Sequence, residues 1–170
     1  EIVDHGLDAD RVGVKPSMTN AEQRPHSDPG DVVSLLCVHG AKSGGQSRIA
    51  SALAIYNRLL EEDPEGLECL YRGFHHDLRG DETPEAPFGC TPVPIPVFRY
   101  FGGLLSCVFN ASSVKQAERR MNTSIPSREM ALLDRIVELA HDPQFCLEMT
   151  FQPGDIQLLN NYTVVHWRTK

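Results

Sequence analysis

This sequence predicts a mainly β chain with flanking helices, arranged as a two-sheet barrel of jelly-roll type. Three observations carry the expectation. Short apolar runs rich in strand-forming residues recur along the chain, separated by Gly, Pro and Asn turns. Helical periodicity is confined to two or three segments. The strict alternation of strand and helix that marks a parallel doubly wound sheet is missing, which leaves a closed pair of sheets as the economical way to cover the strands. At 170 residues the chain fits one domain, residues 1–170.

Residues 32–38 (VVSLLCV) read as a buried strand, and Gly40 to Gly45 bracket a glycine-rich turn. Ser51 caps a helix whose apolar positions Leu53, Ile55, Tyr56, Leu59 and Leu60 follow helical spacing, and Pro64 with Gly66 interrupts it. A second short helix is expected over 65–71. The proline-rich stretch 79–96 reads as an irregular surface excursion able to cover a site. Residues 97–100 and 104–109 form a hairpin around Phe101-Gly102-Gly103. Over 127–140, Ser127 caps the clearest helix, with Met130, Leu133, Val137 and Ala140 on one face. Strands follow at 146–151, 156–159 and 162–166, joined by Gln152-Pro153-Gly154-Asp155 and by Asn160-Asn161.

Composition narrows the function classes. A net charge of -7 argues against a phosphate-backbone partner, because such affinity needs clustered Lys and Arg. No apolar run reaches the roughly 18 residues of a membrane span, and the acidic, mixed start lacks a secretory pattern, so a soluble, cytoplasmic protein is expected. Cys37, Cys69, Cys90, Cys107 and Cys146 are scattered and odd in number, which fits reduced, mostly buried thiols.

His26-Ser27-Asp28 stands out. Two ligands one residue apart project from the same side of an extended segment, and the distant His166 completes two imidazoles and one carboxylate, the facial set that suits a ferrous ion with open positions. Alone, H-x-D is a weak signal in a chain with seven histidines, and Asp28-Pro29-Gly30-Asp31 also reads as a plain turn. His75-His76-Asp77 is a second cluster, but adjacent strand histidines point to opposite faces, so it reads as a surface or pocket-rim feature. Glu61-Glu62-Asp63 and Arg119-Arg120 read as solvated helix ends or faces.

The run from His26 through His39, the turn Ala41-Lys42-Ser43-Gly44-Gly45-Gln46-Ser47, and the run from Pro153 to His166 together resemble the taurine-dioxygenase-like (clavaminate-synthase-like) family, especially its fungal branch. That resemblance, covering the chain from about Arg24 onward, implies a double-stranded β-helix and an Fe(II)- and 2-oxoglutarate-dependent dioxygenase. Such an enzyme hydroxylates or otherwise oxidises a small organic substrate with O2, releasing succinate and CO2. It implies His26, Asp28 and His166 as metal ligands, and Ser47 where the family commonly has a Thr that binds the 2-oxoglutarate carboxylate. Asn161 falls where the family often places an Asn beside the metal; a turn role is the alternative. Family members usually carry an Arg clamp for 2-oxoglutarate roughly ten to fifteen positions beyond the distal His. This sequence runs only four residues past His166, so the last barrel strand and that Arg are expected to be missing. Arg168 stands too near His166 for the part, and Trp167 replaces a usual Gly, either narrowing the pocket or packing outward. Two rival readings stay open: a catalytically impaired metal- or ligand-binding scaffold, and a zinc hydrolase, disfavoured because no partnered general base is visible. Whether copies pair as a homodimer, and which substrate is oxidised, stay open.

Overall fold

The computed structural model describes residues 2–8, 16–78, 84 and 86–170. Seven strands and four α-helices occur among them: β1 (Val32–Leu36), β2 (Ser47–Ser51), α1 (Ala52–Glu62), α2 (Leu67–Arg72), β3 (Phe98–Phe101), β4 (Leu104–Cys107), α3 (Ala111–Met121), α4 (Ser127–His141), β5 (Cys146–Met149), β6 (Ile156–Asn160) and β7 (Val164–Arg168).

The strands make one three-stranded sheet, in the order β5-β2-β7, and two antiparallel pairs, β1-β6 and β3-β4. Alternation along β7 divides the larger sheet into two faces. Val165 and Trp167 point into the main core, where Ala50 joins them against Ile55 and Leu59 of α1 and Leu133, Ile136 and Leu139 of α4. Val164, His166 and Arg168 take the opposite face. Register extends that face across the sheet, since Ile49 pairs with His166, and Ser47 pairs with both Arg168 and Met149. The β1-β6 pair meets this second face, where Gln157 of β6 reaches Met149 of β5. The site-bearing face thus lies between two sheets and the apolar core on the other side, under the helices.

Local chemistry explains most elements. The Ser51 hydroxyl accepts the Ala54 N–H at 3.2 Å and starts α1, a cap that contributes about 1 kcal/mol. Gly102 and Gly103 both take positive φ (58° and 82°), the two-residue turn that matches the twist of the β3-β4 hairpin. Gly44, at φ 64°, lies so close to the Lys170 carbonyl that a Cβ would collide with it. None of the five cysteines is in a disulfide, and Cys69, Cys90 and Cys107 are buried.

Several expectations need correction. The 32–38 strand is not buried: Val32, Leu36 and Val38 are exposed, because β1 pairs only with β6 and turns one face outward. On α1, Leu53 and Leu60 are exposed, and Ala52 joins Ile55 and Leu59 inside. Ser127 does not cap α4; it is the first helical residue behind Pro126, which offers no side-chain acceptor, and the buried stripe runs through Leu132, Leu133, Ile136, Leu139 and Ala140. Helix α3 was not anticipated. It is capped by Asn110, whose side chain accepts the Ser113 N–H at 3.0 Å, and it closes on Asn122 in the left-handed region. Residues 79–83 and 85 of the proline-rich stretch lie outside the described residues. The described remainder is no loose excursion, because Cys90 bridges Asp77, Ile95 bridges Phe74, and Ala86 and Cys90 are buried.

Candidate metal centre

Backbone pairing builds the site. His26 and His166 lie directly opposite one another as an isolated antiparallel bridge, exchanging N–H···O bonds of 3.1 and 2.9 Å. Residues paired in this way present side chains to the same face, and Asp28, two positions on, returns to it. Ser27 between them turns to the opposite side. Its N–H donates to the Phe109 carbonyl at 2.7 Å, and its hydroxyl accepts the Phe109 N–H at 3.3 Å, which anchors the segment to the core.

The result is a triangle of donors. Asp28 Oδ1 lies 3.4 Å from His26 Nε2, and Asp28 Oδ2 lies 3.4 Å from His166 Nε2. One ligand atom from each residue falls within 4.8 Å of the other two. Two ligands at right angles around a cation, each bonded at about 2.1 Å, would sit roughly 3 Å apart, so small side-chain adjustments suffice to seat an ion. Two imidazoles and one carboxylate are also the donor set a ferrous ion accepts while keeping positions open. No other group of three or more His, Cys, Asp or Glu among the described residues converges in this way.

The surrounding bonds orient these ligands. His26 Nδ1 lies 2.8 Å from the Arg24 carbonyl. A carbonyl only accepts, so Nδ1 carries a proton: the neutral ring then keeps its lone pair at Nε2 for a cation, and the ring protonated on both nitrogens donates from Nε2 to Asp28 instead. His166 Nδ1 is buried with no hydrogen-bond partner among the described residues. The Asp28 carboxyl is held far below the usual carboxylate range, chiefly by the hydrogen bond from His166 and then by that from His26, against a smaller opposing effect of burial.

Asn161 locks the loop that carries Asp28. It is 2% exposed, its Oδ1 accepts the Asp28 N–H at 3.1 Å, and its Nδ2 donates to the carbonyls of Asp28 and of Gly30, the latter at 2.7 Å. The turn role and the place beside the site are therefore one role. Ser47 lies on the face of His166, buried, at the far end of β2. Trp167 points away from the site into the core, so it does not narrow the space around His166. Arg168 is committed elsewhere: its guanidinium donates to the carbonyls of Thr19 and Ala21, each at 2.8 Å.

The second cluster diverges. His75 Nδ1 bonds the Thr91 carbonyl at 2.7 Å, the His76 backbone N–H donates to the Thr91 hydroxyl, and Asp77 pairs with Arg120 at 3.2 Å. Asp77 is 6% exposed at its side chain, so it is not the surface feature expected; Arg120, exposed in the last turn of α3 as expected, pairs with it and ties α3 to this segment. Sequence reading overlooked Gln157. Its signal was available: a polar residue at the inward parity of a strand, matching buried Leu159 rather than exposed Ile156 and Leu158.

Comparison with known proteins agrees with this geometry. The family described as "Taurine catabolism dioxygenase TauD, TfdA family" matches residues 4–170. FR-33289 synthase of Streptomyces rubellomurinus is 36% identical over 156 residues, covering 91% of this chain and 45% of that protein. The taurine hydroxylase-like protein SAT17 of the fungus Stachybotrys chartarum is 30% identical over 147 residues, covering 84% of this chain and 36% of that protein. Relatives therefore occur outside the fungi, and the chain spans less than half the length of either. The solved structure of the non-heme iron oxygenase OrfP, in complex with Fe and alpha-ketoglutaric acid, superposes with a TM-score of 0.62 at 14% identity, covering 99% of this chain and 49% of that one. That likeness concerns the fold. Taken with the family match across nearly the whole sequence, it leaves one assignment: this chain belongs to the TauD/TfdA dioxygenase family.

Proposed function

We propose that this chain is the metal-binding part of an Fe(II)- and 2-oxoglutarate-dependent dioxygenase that oxidises a small organic substrate with release of succinate and CO2. One observation carries the reading: the reciprocal backbone pairing of His26 with His166 sets two imidazoles and the Asp28 carboxylate around one point. In this reading His26 and His166 hold the metal through Nε2, Asp28 supplies the carboxylate that offsets part of its charge, and Ser47 donates its hydroxyl proton to the carboxylate of 2-oxoglutarate remote from the metal. Iron, with 2-oxoglutarate and dioxygen, supplies the oxidising power for breaking a C–H bond. What the chain contributes is placement: Asn161 and Ser27 fix the backbone on either side of the first two ligands, and the Arg24 carbonyl fixes the His26 tautomer.

The proposal extends to residues 1–170 forming one oxygenase-like domain. It also takes the surroundings to be aqueous, since no helix among the described residues is long and apolar enough to cross a membrane. Anaerobic addition of Fe(II) and then 2-oxoglutarate tests the reading. A weak visible charge-transfer band that needs both additions is expected, with succinate forming when air is admitted. Metal uptake with no band and no succinate would favour the scaffold reading instead.

A further inference from the structure

Gln157 poses a question that the fold does not answer. It sits on β6, 9% exposed, opposite Leu35 in the β1-β6 pair and facing the sheet that carries His166. Its one hydrogen bond runs from Nε2 to the thioether sulfur of Met149 at 3.6 Å, and its Oε1 is buried with no partner among the described residues. Sulfur is a weak acceptor, and Nε2 carries two hydrogens, so the amide keeps both a spare donor and a spare acceptor. Leaving such a group unmatched in the interior is costly, and a well-packed apolar residue would avoid that cost. A bound polar group explains why a Gln is there.

Register identifies where that group lies. Met149 pairs directly with Ser47, and Ser47 pairs directly with Arg168, so Gln157, Met149 and Ser47 adjoin at one end of the face that carries His166. Ser47 is 8% exposed, and its hydroxyl has no hydrogen-bond partner among the described residues. The cation nearest in register, Arg168, is turned to the Thr19 and Ala21 carbonyls. Two spare donors on facing sheets, the Ser47 O–H and the Gln157 N–H, therefore converge where the proposed function puts the far carboxylate of the 2-oxoacid.

We infer that Gln157 is a second anchor for that carboxylate, with its amide turning from the Met149 sulfur to donate to a carboxylate oxygen beside the Ser47 hydroxyl. The inference rests on the reading of the site as a 2-oxoglutarate site. It is tested by anaerobic titration of the Fe(II)-loaded full chain with 2-oxoglutarate, followed by the charge-transfer band, for wild type, Gln157→Leu and Gln157→Glu. Removing one charge-assisted hydrogen bond should weaken 2-oxoglutarate about 10- to 100-fold in Gln157→Leu, and the added negative charge should weaken it further in Gln157→Glu. Affinity for pyruvate, a 2-oxoacid lacking the second carboxylate, should be unchanged in Gln157→Leu, and so should Fe(II) affinity and the thermal midpoint, or the midpoint should rise. Equal 2-oxoglutarate affinity in wild type and Gln157→Leu would overturn the anchor alone. A parallel loss of pyruvate affinity would assign Gln157 to packing instead. Wild type that binds Fe(II) but neither 2-oxoacid would overturn the reading of the site, and the anchor with it.

Discussion

Two regions of this molecule contain the same three chemical groups, two histidines and one aspartate, and only one of them gathers those groups around a point. In the first, His26 and Asp28 share a strand face and His166 reaches them through a backbone bridge, so three donors fall within 4.8 Å. In the second, His75, His76 and Asp77 are consecutive and their bonds run apart: Thr91 takes the His75 ring and the His76 backbone N–H, and Arg120 takes the acid. Parity along the backbone, more than local density of ligand residues, decides which set can bind an ion.

The largest effect that would break this contrast comes from the ligands themselves. Asp28→Ala or His166→Ala should abolish measurable Fe(II) binding in calorimetric titration, while circular dichroism shows the fold retained. Next in size is Asn161→Ala. It removes the clamp on the Asp28 loop and should lower metal affinity about 10- to 100-fold, the range seen when groups supporting metal ligands are lost. A variant that unfolds more readily than wild type yet binds metal normally would show that the clamp stabilises the fold without orienting the ligand. On the other side of the comparison, His75→Ala should leave metal affinity unchanged and cost about 1 kcal/mol in denaturant unfolding, the worth of its bond to Thr91.

The smallest expected effect is a pH dependence remote from both clusters. Arg135 holds the Glu62 carboxyl below the usual carboxylate range through a two-pronged hydrogen bond at 2.9 and 3.0 Å. A depressed folded-state value means that the stabilisation is present above about pH 4.5 and fades as pH falls through the carboxylate range. The pair is partly exposed, so the effect is small. Comparing the acid limbs of thermal stability for wild type and Glu62→Gln checks it: the variant should lose less on acidification.

Much of this was legible before any coordinates. The three residues of the candidate site were marked by H-x-D spacing and a distant His, a weak signal alone that the family resemblance strengthened, and they do lie together; the strands around 146–168 followed from alternation punctuated by Gly154 and Asn160. What sequence hid were consequences of partnering. Helix α3 escaped because it buries only small or short side chains, Ala111, Ser113, Val114 and Ala117, too few to print a clear apolar stripe. The exposed face of β1 escaped because a run such as VVSLL is written alike for a strand covered on both faces and for one covered on a single face. Gln157 escaped because its meaning depends on what the opposite sheet leaves unpaired. Trp167 stood open between two directions until the inward placement of Val165 fixed the parity of β7.

The most direct test of the central claim is a histidine-resolved one. With ring ¹⁵N-labelled histidine in the full chain, one equivalent of Co(II) should shift or broaden the imidazole signals of His26 and His166 together and leave those of His75 and His76 in place. Perturbation of the 75–76 pair, or of His26 and His166 at different metal equivalents, would contradict the account.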